Sequence, residues 1–241
     1  MELLHFRLYG KFAHFLRAEA SASAFSYPVP PRTVILGILG AVLGLSKDDP
    51  QVALEPSNIA LSGIIPGTHW HKVKLRKDPP QPLAWTVKKS QNIDRTTAPE
   101  KASLILQEWL FQPEYHVWVS LPDPYHNELN DRLQKKKWHY SPSLGLSEMS
   151  AELEYISTLE SSILPEGIYE ISTVFQRDEV ELELNRVFDL QLALHAIRMP
   201  QTVTQDRVFS HCAYFLERDA RPVPVKTGLA YQAADQIIMF L

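Results

Sequence analysis

From Val34 to Leu45 nearly every residue is apolar, and Gly37, Gly40 and Gly44 interrupt the run. Pro30 and Pro31 stand just before it, where a fixed φ and a missing N–H suit the entry of a helix. An apolar helix of this kind is buried on most of its circumference. Each glycine costs helix stability, roughly 1 kcal/mol against alanine. The expected return is close approach of another element. The run is too short to span a bilayer, and its flanks are wrong for a signal peptide.

Ahead of this helix, Leu4, Phe6 and Leu8 alternate with His5, Arg7 and Tyr9, the pattern of a half-buried strand. A loop of small residues, Ala18 to Ser26, joins strand to helix. Around it lie Tyr9, Lys11, His14, Arg17, Tyr27 and Arg32, which are cationic or aromatic. A helix N-terminus offers free N–H groups and a positive dipole end to phosphate oxygens. These six residues are therefore candidates for contact with a phosphate-bearing ligand.

Length and charge bound the rest. The 241 residues suit one large domain or one domain with an appendage. Cys212 is the only cysteine, so neither a disulfide framework nor a thiolate zinc site is expected, and a reducing, cytoplasmic setting is. No cofactor is called for. The net charge of −4 is unlike a typical nucleic-acid binder, but its distribution is uneven. Between His69 and Arg95 seven cations face two acids, whereas between Glu148 and Asp189 eleven acids face two cations. A basic face for RNA and an acidic face for a protein partner fit that asymmetry; so does a solvated acidic sheet.

Further along, Ile59–Ile65 reads as a strand closed by Pro66-Gly67. Trp70, Lys72, Lys74 and Arg76 then alternate with His69, His71, Val73 and Leu75. Leu83 to Lys89 is expected to return as the second arm of a Pro-stiffened hairpin at about 68–95, projecting because its cations resist burial. Trp70, Lys72, Lys74, Lys88, Lys89, Asn92 and Arg95 are its candidate RNA contacts. His69 and His71 have the spacing of a metal pair, without a third ligand nearby. Thr97-Ala-Pro-Glu100 has the form of a capping box, opening a short helix to Leu106. Tyr115–Ser120 alternates as a strand. Asp123-Pro124 is expected to cap a helix striped by Tyr125, Leu129 and Leu133. Lys135, Lys136 and Lys137 close it, favourable for the dipole and available to RNA or a partner. A loop around Gly145 leads into the next strand. Ile168–Phe175, Val180–Leu184 and the alternating Leu190, Leu192 and Leu194 predict a small antiparallel sheet.

The expected order is strand, helix, strand, hairpin, strand, helix, strand. This is an α+β class, a ferredoxin-like βαββαβ domain over 1–159 with an inserted thumb, and a C-terminal antiparallel extension over 160–241.

Four stretches carry a resemblance. YGKFAHFLRA and SYPVPPRTVILGILGAVLG, then PSLGLSE around Gly145 and RMPQTVTQDR at 198–207, resemble the CRISPR-associated Cas five family of the RAMP superfamily, with the spelling of subtype I-B. The resemblance implies a subunit without catalytic activity or metal. It would grip the 5′ handle of the CRISPR RNA, with the cationic and aromatic candidates above and Gly145 as RNA contacts, and it would contact the backbone and large subunits of a Cascade complex. Through its thumb it would lie close to target DNA, and it would have no membrane partner. The alternative is a metal-independent nuclease that processes precursor RNA, as in subtype I-C, with Tyr27, Lys88, His14 and His139 as candidates for acid–base work.

Overall fold

The structure is a computed structural model that describes residues 1–17, 23–76 and 102–241. It is a mixed α+β fold, mostly strands with few helices. In chain order the first part gives β1 (Glu2–Tyr9), β2 (Phe12–Ala13), β3 (Ser23–Ala24), α1 (Arg32–Leu43), the single turn α2 (Pro50–Ala53) and β4 (Asn58–Ser62). Then come β5 (Gly67–Arg76), β6 (Ala102–Phe111), β7 (Glu114–Ser120), α3 (Tyr125–Lys135) and β8 (Glu152–Ile163). The remainder gives β9 (Gly167–Ile171), β10 (Phe175–Gln176), β11 (Glu181–Leu182), α4 (Leu184–Asp189), β12 (Leu194–Val203), β13 (Phe209–Glu217), β14 (Val223–Thr227), β15 (Tyr231–Ala233) and β16 (Gln236–Ile238).

The large sheet runs β16-β15-β8-β1-β7-β4, and each of these neighbours is antiparallel. Its period-2 alternation sends Leu4, Phe6 and Leu8 of β1 and Tyr115, Val117 and Val119 of β7 into the main core, all fully buried. Ile35, Leu36, Leu39 and Val42 of α1 and Leu129 and Leu133 of α3 join them there. Val174 N and Leu241 N donate to Leu61 O and Ile59 O, so later chain occupies backbone acceptors of β4.

The expected elements at α1, β1, β4, β7 and α3 are present. No side chain caps α3, whose N-cap position is Pro124 rather than Asp123. The capping-box helix expected to reach Leu106 needs correction. Residues 102–111 are strand, held by ten rungs to β5 from Gly67↔Phe111 to Arg76↔Ala102. That continuous pairing outweighs the local helix signal. The described partner of β5 is thus β6, and Leu83–Lys89 lies outside the described residues. The C-terminal part forms two three-stranded sheets, β10-β13-β12 and β11-β14-β9, while β15 and β16 extend the large sheet. Between the expected strand at Val180–Leu184 and the alternating Leu190, Leu192 and Leu194, residues Leu184–Asp189 form a helix, whose Val187 turns inward onto a second core that includes Val223 and Val225.

Close approach explains some of the glycines of α1. A Cβ on Gly40 would stand 2.1 Å from Pro50 Cγ, whereas one on the exposed Gly37 would meet nothing within 4 Å. Gly44 ends the helix in the left-handed conformation, φ +84°.

The sheet face away from α1 carries a histidine pair. His5 Nε2 lies 3.0 Å from His116 Nδ1, and the His5 ring stacks on Trp118 at 4.4 Å. Burial, and then the neighbouring His116, push His5 down to about 4; burial also lowers His116. In the unfolded chain the same imidazoles would take up protons near their ordinary 6.5. Stability therefore falls as pH drops from there toward 4.

Two outcomes are expected. Gly37→Ala should raise the unfolding free energy by about 0.5–1 kcal/mol, while Gly40→Ala should lower it by about 1–3 kcal/mol through overpacking on Pro50; urea titration reads both, and equal effects would contradict this packing. His5→Gln combined with His116→Gln should flatten the decline of urea midpoint between pH 7.5 and 5.5. A slope equal to that of the parent protein would contradict the histidine account.

Candidate nucleic-acid interface

Pro31 places the start of α1 beside residues 12–17 and 23–27, and no side chain caps the helix. Here a cavity of about 570 Å³ opens among Phe15, Tyr27, Pro31, Thr33 and Val34, the strand residues Ser23, Ala24, Ile105 and Gln107, the loop residues Gly145 and Leu146, and Pro200 and Phe209 of the β12–β13 hairpin. The walls are chiefly apolar. A cavity of this size suits a base or an apolar side chain better than a bare phosphate.

The six residues singled out around this helix have distinct fates. His14 lines the cavity yet is 3% exposed, with Nδ1 2.8 Å from Glu108 O and its backbone N donating to Leu144 O. Tyr27 is buried, and the Arg17 guanidinium sits over its ring at 5.4 Å. Arg17 Nε donates to Ser26 O at 2.9 Å, and its side chain is half-buried. Lys11 is exposed beside Phe12, at 5.8 Å from its ring. Tyr9 lies under the Arg7 guanidinium at 4.4 Å, and Arg7 is itself held by Glu114 and Glu154. Arg32 turns inward. Its guanidinium donates to Ser57 O at 3.0 Å, to Glu55 O and to Gln201 O, and it is 6% exposed. Burial works against its charge, with Glu55 as an offset. Arg32 thus ties α1 to the turn before β4 and to β12, and its donors are occupied by carbonyls.

Gly145 has a conformational requirement. Its φ is +99°, and a Cβ there would stand 1.9 Å from His14 O. The loop can press against the 12–17 segment only without a side chain.

On the β5–β6 ribbon, Trp70 is 45% exposed and meets Phe25 edge-on at 5.4 Å, with Lys72 and Lys74 exposed along the same face. Lys88, Lys89, Asn92 and Arg95 lie outside the described residues. His139 rests against Gly44, at the end of α1 opposite Thr33 and Val34, which line the cavity with His14. Twelve helical residues separate these ends by about 18 Å. The structure therefore does not gather His14, Tyr27 and His139 into one acid–base cluster.

Several lining residues are not apparent from sequence: Ile105, hidden by the helix expected to run to Leu106, Gln107 just beyond it, and Phe209. No clean alternation marks the first two, since Ile105 and Leu106 are both apolar and Gln107 and Glu108 both polar.

The model of the family described as CRISPR-associated protein (Cas_Cas5) matches residues 3–226. No curated protein matches. Among solved structures, a chain of a "CRISPR RNA-guided surveillance complex" is 13% identical and has a TM-score of 0.55, covering 92% of this chain and 91% of that one. A "Cas protein" crystal structure is 12% identical at a TM-score of 0.47, covering 92% and 98%. With a family model spanning nearly its whole length, the chain belongs to the CRISPR-associated Cas5 family.

Proposed function

We propose that the protein is a non-catalytic RNA-binding subunit of a type I Cascade effector complex, of subtype I-B, working in the cytoplasm. It holds the 5′ handle of the CRISPR RNA at the start of α1 and caps the complex beside the large subunit. The observation that carries this reading is the cavity of about 570 Å³ at an uncapped helix start, with Arg17 over its lining residue Tyr27 and Lys11 exposed on the chain segment that leads to His14. Cations for phosphates and an apolar recess for an unstacked base are what single-stranded RNA requires.

Strand order supports a ferredoxin-like reading of the core. Within β8-β1-β7-β4, α1 links β1 to β4 and α3 links β7 to β8, which is the connectivity of the split βαβ plan. The β5–β6 ribbon sits between β4 and β7 in sequence, and we read it as the base of a thumb reaching toward target DNA. The acid-rich stretch 148–189 is read as the side toward the protein partners.

Lys11→Ala and Arg17→Ala should each weaken binding to the repeat RNA. Each should lower the slope of log K against log salt by about 0.7, the share of one neutralised phosphate on a single strand. Fluorescence anisotropy in EDTA measures both, and a gel of the same samples should show intact RNA. Arg32→Ala should instead cost on the order of 3 kcal/mol of stability, by stranding buried carbonyls, and leave the salt slope unchanged. Unaltered slopes in both surface variants would overturn the assignment of the site, and cleaved RNA would favour the nuclease reading.

A further inference from the structure

The two faces of the β5–β6 ribbon differ in chemistry. Register puts Trp70, Lys72 and Lys74 with Glu108, Leu106 and Leu104 on one face, and His69 and His71 with Trp109 and Gln107 on the other. On this second face the rings touch in an unbroken row. His71 stacks on Trp109 with centroids 4.1 Å apart and 27° between planes. Trp109 lies 5.4 Å from Phe12, and Phe12 lies 5.8 Å from Phe111. Phe12 belongs to the row because β2 pairs with β6 along its other edge, placing Phe12 opposite Phe111.

The row runs into the cavity. Trp109 Nε1 donates to Gln107 Oε1 at 3.2 Å, and Gln107 and Ile105 form part of the cavity wall. Phe12 and Trp109 are half-buried against the main core, so anchoring the foot of the ribbon accounts for them. It does not account for His69, His71 and Phe111, which are exposed, Phe111 by 47%. No carboxylate shares this face of β5 and β6 among residues 67–73 and 105–111, because Glu108 belongs to the Trp70 face and its carboxylate accepts from Ser26 N. Lys11 stands at the foot, near the Phe12 ring.

An acid-free row of flat rings, with a cation at one end and a largely apolar recess beside it, matches unpaired nucleobases better than a protein surface. Every base has a π-face to stack, and no carboxylate repels its phosphate. We propose that His71, Trp109, Phe12 and Phe111 form a stacking track for successive unpaired bases of the RNA, leading the strand along the ribbon into the cavity. This rests on the RNA-binding reading and adds the face and the rings that the strand uses. The track lies on the side of the ribbon opposite Trp70.

Ultraviolet cross-linking of the full chain to labelled single-stranded repeat RNA, with peptides mapped by mass spectrometry, decides between the faces. Adducts are expected on Phe12, His71, Trp109 or Phe111. His71→Ala and Phe111→Ala should each weaken binding about tenfold, at unchanged salt slope because a stacking ring neutralises no phosphate. His71→Tyr and Phe111→Tyr should retain the affinity of the parent protein, which a purely structural role would not predict. Adducts confined to Trp70 and Phe25, with full affinity in the His71→Ala, Phe111→Ala double variant, would overturn the track while leaving RNA binding intact. Failure of the parent protein to bind would overturn the RNA reading itself, and the track with it.

Discussion

One buried guanidinium holds the working end of this protein together. Arg32 begins α1, and its donors reach the carbonyls of Glu55 and Ser57 before β4 and of Gln201 on β12. Three separate lengths of chain meet at that charge. A buried cation is tolerable only with its hydrogen bonds made, so the position of the helix start, and of the β12–β13 hairpin that walls the cavity, is set by a strict geometric demand. The same burial removes Arg32 from contact with a ligand, so on the proposed RNA-binding reading the attraction of phosphate would fall to the exposed lysines and to Arg17.

The opposite wall is set by steric exclusion rather than charge. Gly145 in its left-handed conformation lets the loop lie on the His14 carbonyl, and Leu144 O takes the His14 N–H. His14 in turn fixes β6 through Glu108 O. β6 is therefore the shared element of cavity and ribbon. It pairs with β5 on one edge and with β2 and β3 on the other. A ligand on the ribbon and one in the cavity would therefore meet the same doubly paired strand.

The parts with one strong period are legible in the sequence. β1 and β7 alternate cleanly, and α1 is unbroken in hydrophobicity, so their burial follows from pattern alone. β6 is obscured because ASLILQEWLF is apolar on both faces near its start, and because Thr97 and Glu100 ahead of it have the spacing of a capping box. Its strand character comes from a partner far away in sequence. Arg32 is legible as an important cation but not as an inward one, since a helix N-terminus looks the same whether its arginine meets phosphate or carbonyl. The C-terminal sheets follow from few residues per strand. β10 and β11 have two each, too little to carry a period.

Hydrogen–deuterium exchange of the purified protein with and without single-stranded repeat RNA tests the central claim most directly, because it reports on every backbone amide at once. The account predicts slowed exchange at residues 11–17, at the first turn of α1, along 105–111 and at 143–146, with 148–189 otherwise unchanged. Protection confined to the acid-rich stretch 148–189, with the cavity walls exchanging as in the free protein, would contradict it.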